Sequence, residues 1–535
     1  MRRESFLVGT LVLVAASLVS RGLGALYRFI VPVLMGGGQV AAIGMGLYQM
    51  AAPIYGVLLS ASATGLPSAV ARMVAARFSM DRPQQALGVF YQALILVAAV
   101  GGGAALLLFF GAPLYAELIA KDARAALTVQ AIAPAAFFVS LASILRGFLQ
   151  GLRRMTPLAT SQVVEQLSRV ASIVVLVLLL LPYGIQWAAA GVSVGATVGG
   201  LASLLYLVFQ FRKVLREWPQ GERQPLWECG ALRELLGLAI PISFSYMVQP
   251  LVMFIDALVV PTRLHDAGLG AEATALYGFL SGFATPFMVL PTTFTAALAM
   301  NLLPAMSELQ ARGDEQGILR RLFSGLRLTF LLSFPSAAGL LVLATPIESV
   351  FFRAPQAGPL LAILAFGVLG ISLQQVSAAA LQGLGRPLFP MLTLFFGGAL
   401  KLILTWILTG YPALNVKGAA LATVLAFFLT GGLNIFVLHR LGYGIPWRRL
   451  APGPLFSSLL MGVAVAGFYY GLQMIWQPLG RGGELLGLAG AILLGIFLYG
   501  WMAARWGVVR PSDLEQVPRI GGRLVSWGYR LRLWS

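Results

Sequence analysis

LRGFLQGLRRMTPLATSQVVEQLSR, residues 145–169, sets a glutamate, Glu165, and an arginine, Arg169, inside a stretch that hydropathy reads as membrane. A charge at bilayer depth costs at least about 3 kcal/mol, so such residues face a bundle interior and mark function. The reading of this one stretch decides the fold class, because either the chain is soluble and the charges are ordinary, or it spans a bilayer and they need a purpose.

Composition settles the choice. Of 535 residues 59% are hydrophobic and 10% charged, with a mean hydropathy of +0.85. A charged surface wrapped around one soluble core cannot be built from that mixture. Apolar runs long enough to cross about 30 Å of hydrocarbon recur from end to end, which predicts an all-α polytopic membrane protein. The first run, from Phe6, passes Arg21 and Arg28 without a polar cleavage region, so it is expected to be a retained helix and not a signal peptide. Cys229 is the single cysteine, which excludes an intrachain disulfide, and His265 and His439 stand in no metal-ligand spacing, so no metal site is expected.

Hydropathy predicts fourteen helices, at 6–34, 42–76, 86–112, 125–151, 157–182, 187–211, 234–262, 273–305, 321–346, 358–384, 387–410, 416–438, 454–476 and 484–504. An even number puts both termini on one side. Most of the 37 Lys and Arg fall at the N-terminus, in alternate connections and in the tail, leaving Lys121, Arg124, Arg263, Arg353, Lys417 and Arg481 opposite. Both termini are therefore expected in the cytoplasm. The net charge of +18 reads as this orientation signal, with no nucleic-acid partner. Arg21, Arg28, Arg169 and Lys401 remain inside helices, against Glu165 and Asp256 as the comparably deep acids, so the interior carries a surplus of positive charge.

A repeat lies across the chain. Leu149-Gln150-Gly151-Leu152 recurs as Leu381-Gln382-Gly383-Leu384, an offset of 232 that also pairs Arg154 with Arg386 and Arg169 with Lys401; Leu47-Tyr48 meets Leu276-Tyr277 at an offset of 229. Nearly equal offsets spanning six helices predict a duplicated, parallel six-helix unit enclosing a midplane cavity. The expected organisation is an N-lobe over 1–211, a basic linker over 212–233, a C-lobe over 234–440, two additional helices over 441–504 and a basic, aromatic tail over 505–535. Linker and tail pair Lys/Arg with Trp, as segments at anionic headgroups do.

Arg21 and Arg28 are two turns apart on one face of helix 1, about 10 Å along the axis. They either snorkel to an interface or form an anion site, where guanidinium forks bind phosphate or carboxylate. Glu165 and Arg169, at i and i+4, either neutralise each other or, with Gln162 and Gln166, line a cavity wall. Asp256 and Lys401 form either a cross-helix ion pair or a gate at which Asp256 binds H+ or Na+. Pro67, Pro286 and Pro291 interrupt their helices as candidate hinges or static kinks. Gly191, Gly195 and Gly199 signal close helix packing. No lysine follows a glycine, so no P-loop exists, and no HExxH occurs.

GMGLYQMAAPIYG (44–56), TGLPSAVARMV (64–74), LRGFLQGLRRMTPLATSQVVEQLSRV (145–170) and ALYGFLSGFATPFMVLPTTFTAALAMNLLPAMSE (275–308) resemble the stage V sporulation protein B branch of the polysaccharide transporters. That branch is close to the MurJ-type lipid II flippases, within the multidrug/oligosaccharidyl-lipid/polysaccharide exporter superfamily. The resemblance implies fourteen helices, two lobes, alternating access and export of an undecaprenyl-diphosphate-linked saccharide such as lipid II. It makes Arg21 and Arg28 cavity arginines that hold the diphosphate. It also places Lys401 on the helix where some relatives carry an acid of a sodium site.

The expectation is thus a flippase, not an enzyme, in the bacterial cytoplasmic membrane. It needs no cofactor, is driven by the membrane potential, H+ or Na+, has a lipid-linked anionic saccharide and membrane lipids as partners, and acts as a monomer. Two other readings stand beside it. A multidrug antiporter of the same superfamily would favour acids in its cavity, and a non-transporting scaffold for envelope synthesis would need no buried cations.

Overall fold

The computed structural model describes residues 6–62, 65–218 and 230–506, all helix and connection with no strand among them. The helices are α1 (Phe6–Leu34), α2 (Gly38–Ser62), α3 (Gly65–Ser79), α4 (Pro83–Tyr115), α5 (Ala125–Gly151), α6 (Met155–Leu180), α7 (Ile185–Arg216), α8 (Ala231–Leu264), α9 (Gly270–Gly278), α10 (Thr285–Ala311), α11 (Glu315–Val342), α12 (Ala344–Phe352), α13 (Gly358–Gly383), α14 (Leu388–Thr409), α15 (Val416–Arg440), α16 (Trp447–Leu450), α17 (Pro452–Gly471), α18 (Gln473–Trp476) and α19 (Gly480–Arg505).

Among the described residues, twelve stretches are long and apolar enough to cross a bilayer. One of them, Met253–Ala311, runs for 59 residues and is broken at Gly268, whose φ of 83° no helix accommodates. With that stretch read as two passes and the 29-residue α1 added, the fourteen expected helices are accounted for. The expected second helix corresponds to α2 and α3, on either side of residues 63–64, which are not described, and the eighth is α9 and α10 joined through the π-helical turn Phe279–Ala284. Pro67 lies buried near the start of α3, Pro286 near the start of α10 after that turn, and Pro291 inside α10. Cys229, much of the linker and the tail from 507 onward lie outside the described residues.

The chain packs as two compact units, Met1–Gly282 and Phe283–Ser535. In the first, α6 packs on α1 and α7, α5 on α3, α4 and α7, and α8 on α2 and α3. In the second, α13 packs on α10, α11 and α15, α14 on α15, and α17 on α11 and α19. Each unit has a core from equivalent members of the repeat. Phe90, Phe148 and Phe211 join α4, α5 and α7 with ring centroids 4.6–5.4 Å apart, while Leu326, Leu381 and Leu438 are buried together from α11, α13 and α15.

The duplicated LQGL motif terminates its two helices in one geometry. The Arg154 N–H donates to the Leu149 carbonyl and the Arg386 N–H to the Leu381 carbonyl, both at 2.9 Å. The intervening residue is left-handed in each, Arg153 at φ 57° and Gly385 at φ 73°. Gly151 and Gly383 serve one purpose too. A Cβ on either would come within 2.7 Å of a neighbouring carbonyl, that of Ala71 or of Leu303. Inside a bilayer water exclusion does not drive helices together, so such close approach supplies the packing.

Candidate anion-binding site

The stretch 145–169 ends α5 and fills the first half of α6. The glycine stripe of α7 seats α6: a Cβ on Gly199 would lie 2.7 Å from the Glu165 carbonyl oxygen and 2.9 Å from the Arg169 Cβ. With α7 this close on one side, α6 turns its polar residues toward α5 and α1.

Glu165 does not pair with Arg169. Its partner is Arg146, one helix back on α5: Arg146 Nη2 donates to Glu165 Oε2 at 2.6 Å and to Ser203 Oγ at 2.7 Å, and Arg146 Nε donates to Ser161 Oγ at 2.9 Å. A carboxylate accepts most strongly from a charged fork, and Arg146 brings three bonds where Arg169 could bring few along its own helix. Of the two alternatives offered for these residues, the ion pair at i and i+4 is the one that does not form. In the second unit the equivalent of this network has lost its charges, leaving Thr393 Oγ1 donating to Asn434 Oδ1 at 2.6 Å.

Arg169, released from Glu165, makes no ion pair among the described residues. Its Nη2 donates to Tyr48 Oη at 3.3 Å, and the guanidinium lies 5.4 Å from the centre of the Tyr27 ring. The two tyrosine hydroxyls are 3.1 Å apart. Arg169 Nε and Gln166 Oε1 are buried without a hydrogen-bond partner. Arg28, exposed on α1, interacts electrostatically with Tyr27, Tyr48 and Arg169. The side chain of Arg21 lies outside the described residues. What assembles here is two guanidinium groups, no carboxylate in an ion pair with Arg169 among the described residues, and phenolic hydroxyls that can turn to donate: an arrangement suited to an anion with several acceptor oxygens.

The other candidates lie elsewhere. Gln162 is half-buried on α6, one turn before Gln166. Lys401, equivalent to Arg169 in the repeat, is enclosed on α14 at 2% exposure, with Thr405 and Thr409 following it on one buried face. Asp256 is half-buried on α8, within electrostatic reach of Tyr277. Lys401 and Asp256 thus belong to different units.

Arg146, Tyr27 and Tyr48 escaped the sequence reading, although Arg146 stands in the opening stretch, Tyr27 adjoins Arg28, and Tyr48 is half of a repeat match. Glu348 escaped it as well. Expected in a connection, it is fully buried on α12, so the deep acids are not confined to Glu165 and Asp256.

The polysaccharide biosynthesis protein family model matches residues 6–310, and the MatE model matches residues 241–407. Stage V sporulation protein B of Bacillus subtilis (strain 168) is 29% identical over 528 residues, covering 98% of this chain and 100% of the relative. The lipid II flippase MurJ of the same organism is 26% identical over 487 residues, covering 86% and 88%. A solved structure of lipid II flippase MurJ in an inward closed conformation superposes with a TM-score of 0.66 at 15% identity, covering 92% of this chain and 98% of that one. The relatives are transporters and not enzymes, and the shared fold is theirs along nearly the whole length. A polytopic membrane transporter, this chain belongs to the polysaccharide biosynthesis protein family, in the branch of the multidrug/oligosaccharidyl-lipid/polysaccharide exporter superfamily similar to stage V sporulation protein B and the MurJ flippases.

Proposed function

We propose that this transporter is a flippase for an undecaprenyl-diphosphate-linked saccharide, lipid II or a related polysaccharide precursor, working by alternating access. The observation that carries the reading is Arg169, held beside Tyr27, Tyr48 and Arg28 while Arg146 occupies the nearby carboxylate. A site with two positive charges, whose nearby acid is already paired with Arg146, selects against organic cations and for a diphosphate. Arg28 and Arg169, with Arg21 on the same helix as Arg28, take the diphosphate; Gln162 and Gln166 take sugar hydroxyls; Glu165 holds Arg146 in place.

Both termini lie in the cytoplasm, as the loop charges indicate, and one chain suffices. A diphosphate of charge about −2 leaving a negative-inside cell gains about 2.3 kcal/mol per charge per 100 mV, so export runs electrically downhill. The polyprenyl tail stays in an apolar environment. The second unit offers one, a cavity of about 410 Å³ bordered by Leu331, Leu340, Met461, Val465, Ile492 and Ile496, from α11, α17 and α19. Asp256 serves as an ion gate, Lys401 as a buried cation of the second unit, and Pro67, Pro286 and Pro291 as bending points.

The test is depletion of the wild-type chain in cells carrying Arg28→Ala or Arg169→Ala, with lipid II probed from outside. Loss of probe access with the variant still inserted supports the reading; undiminished access in both variants overturns it. The MatE match over 241–407 favours a second reading, multidrug export, which predicts instead that a deletion strain becomes sensitive to cationic drugs.

A further inference from the structure

Glu348 sits on α12, a nine-residue helix joined to α11 through Leu343, whose backbone (φ −95°, ψ 13°) breaks the helix. It is 0% exposed, and neither carboxylate oxygen has a hydrogen-bond or ion-pair partner among the described residues. Its environment offers no compensation. α12 packs on α11, α13, α19 and the turn Pro355–Ala357. α13 and the turn carry no titratable side chain, and those of α11, Glu315, Arg320, Arg321 and Arg327, all stand in its first half, away from the joint with α12. The charged and titratable groups of the neighbourhood are Arg353 at the end of α12, Arg481, Glu484 and Tyr499 on α19, and Tyr469 and Tyr470 on α17. Three of these are engaged elsewhere: Arg481 Nη2 donates to the Val350 carbonyl at 3.2 Å, Tyr499 Oη to that of Leu331 at 2.9 Å, and Tyr470 Oη to that of Val342 at 3.2 Å, at the α11–α12 joint. An isolated carboxylate in such a place neutralises by taking up a proton.

The joint has room to move. Leu343 and Ile347, flanking the start of α12, border the apolar cavity of about 410 Å³. The far end is fixed: Arg353, at φ 53°, turns the chain so that the Ala354 N–H caps the Glu348 carbonyl at 3.1 Å, and Phe352 packs on Phe283 with ring centroids 4.6 Å apart. A short helix held at Phe352 and bordering a cavity at its Leu343 end carries a buried acid between them.

We propose that Glu348 is a proton-binding site of the transport cycle. In this conformation it holds the proton as a neutral carboxylic acid; when α12 turns about its anchored Phe352 end, its Leu343 end moving into the cavity, and the carboxyl reaches water, the O–H bond breaks, the proton passes to water and a carboxylate remains. Low pH therefore favours the packed state of α12 and high pH the pivoted one. The site is independent of which substrate is carried, so its test needs none.

The full chain in lipid nanodiscs is examined by infrared spectroscopy, subtracting Glu348→Gln from wild type. A protonated-carboxyl band that persists from mildly acid to mildly alkaline pH is expected; its absence shows an ionised group and overturns the proposal. Hydrogen–deuterium exchange of 344–352, corrected for intrinsic rates, then reads the pivot. One released proton per opening raises the open population by about tenfold per pH unit, and Glu348→Gln abolishes that slope. A slope unchanged in Glu348→Gln, or absent from wild type, reduces the group to a static neutral acid and overturns the coupling. Glu348→Met supplies the same subtraction and slope if the glutamine variant does not fold.

Discussion

The charge that opened the sequence reading changes meaning once its partner is known. Arg146 and Glu165 hold each other with side chains 17% and 15% exposed, and a buried pair broken on one side costs about 3–5 kcal/mol because the other charge is left uncompensated. Arg146→Met is therefore expected to lower the thermal unfolding temperature of the purified protein markedly, and adding Glu165→Gln to recover most of the loss. Arg169→Gln separates from this behaviour: it leaves the unfolding temperature close to wild type while transport falls. A double variant no more stable than Arg146→Met would show the pair to be incidental. Arg169 was legible from its depth in an apolar run, whereas its neighbours were not. Spacing along one helix ranks i, i+4 contacts first, and it has no means of ranking Tyr48 or Tyr27, which arrive on other helices.

Between helices, glycines decide where charged side chains stand. Gly199→Val must push α7 away from the Glu165 carbonyl and the Arg169 Cβ. Overpacking of this kind costs about 1–3 kcal/mol, so lowered stability together with impaired transport is expected, whereas Gly500→Ala in α19, whose Cβ would meet nothing within 4 Å, leaves both unharmed. Stability assays on the two variants in one detergent give the comparison. The connection between α4 and α5 makes a pH-dependent prediction. Burial of Asp122 works to raise its carboxyl, but bonds from Arg124 (3.0 and 2.8 Å) and from Thr274 (2.6 Å), with the charge of Arg124, outweigh it and hold the carboxyl below its usual range. A depressed carboxylate stabilises the fold above the unfolded value of about 4 and loses that contribution as pH falls through the lower folded value. Hydrogen exchange of 116–124 should thus be slow and flat from neutral pH to about 5, then accelerate in acid, and Asp122→Asn should exchange faster at neutral pH with no acid step. The GxxxG stripe announced close packing in the sequence, but which helix filled it, and which side chains it displaced, required α6 and α7 to be brought together.

For the whole molecule, the orientation drawn from loop charges predicts that reporters fused at either end give one answer: alkaline phosphatase inactive and green fluorescent protein bright at both termini, with the reverse after Lys417. Opposite readings at the two ends would mean an odd number of passes. The sequence by itself determined the class, the fourteen passes and the family, and it exposed the repeat. Hydropathy and recurrent motifs are properties of short segments, and a bilayer enforces them one pass at a time. The repeat was legible because LQGL ends both α5 and α13 with the same backbone turn, a local requirement. Tertiary structure alone decided which charges compensate one another. Arg146 reaches Glu165 at 2.6 Å because α5 and α6 fold back on each other, and Glu348 has no hydrogen-bond partner among the described residues because α11, α13 and α19 close around it. Coulomb energy and desolvation depend on distance and burial in space, and the order of residues along a chain fixes neither until the helices have packed.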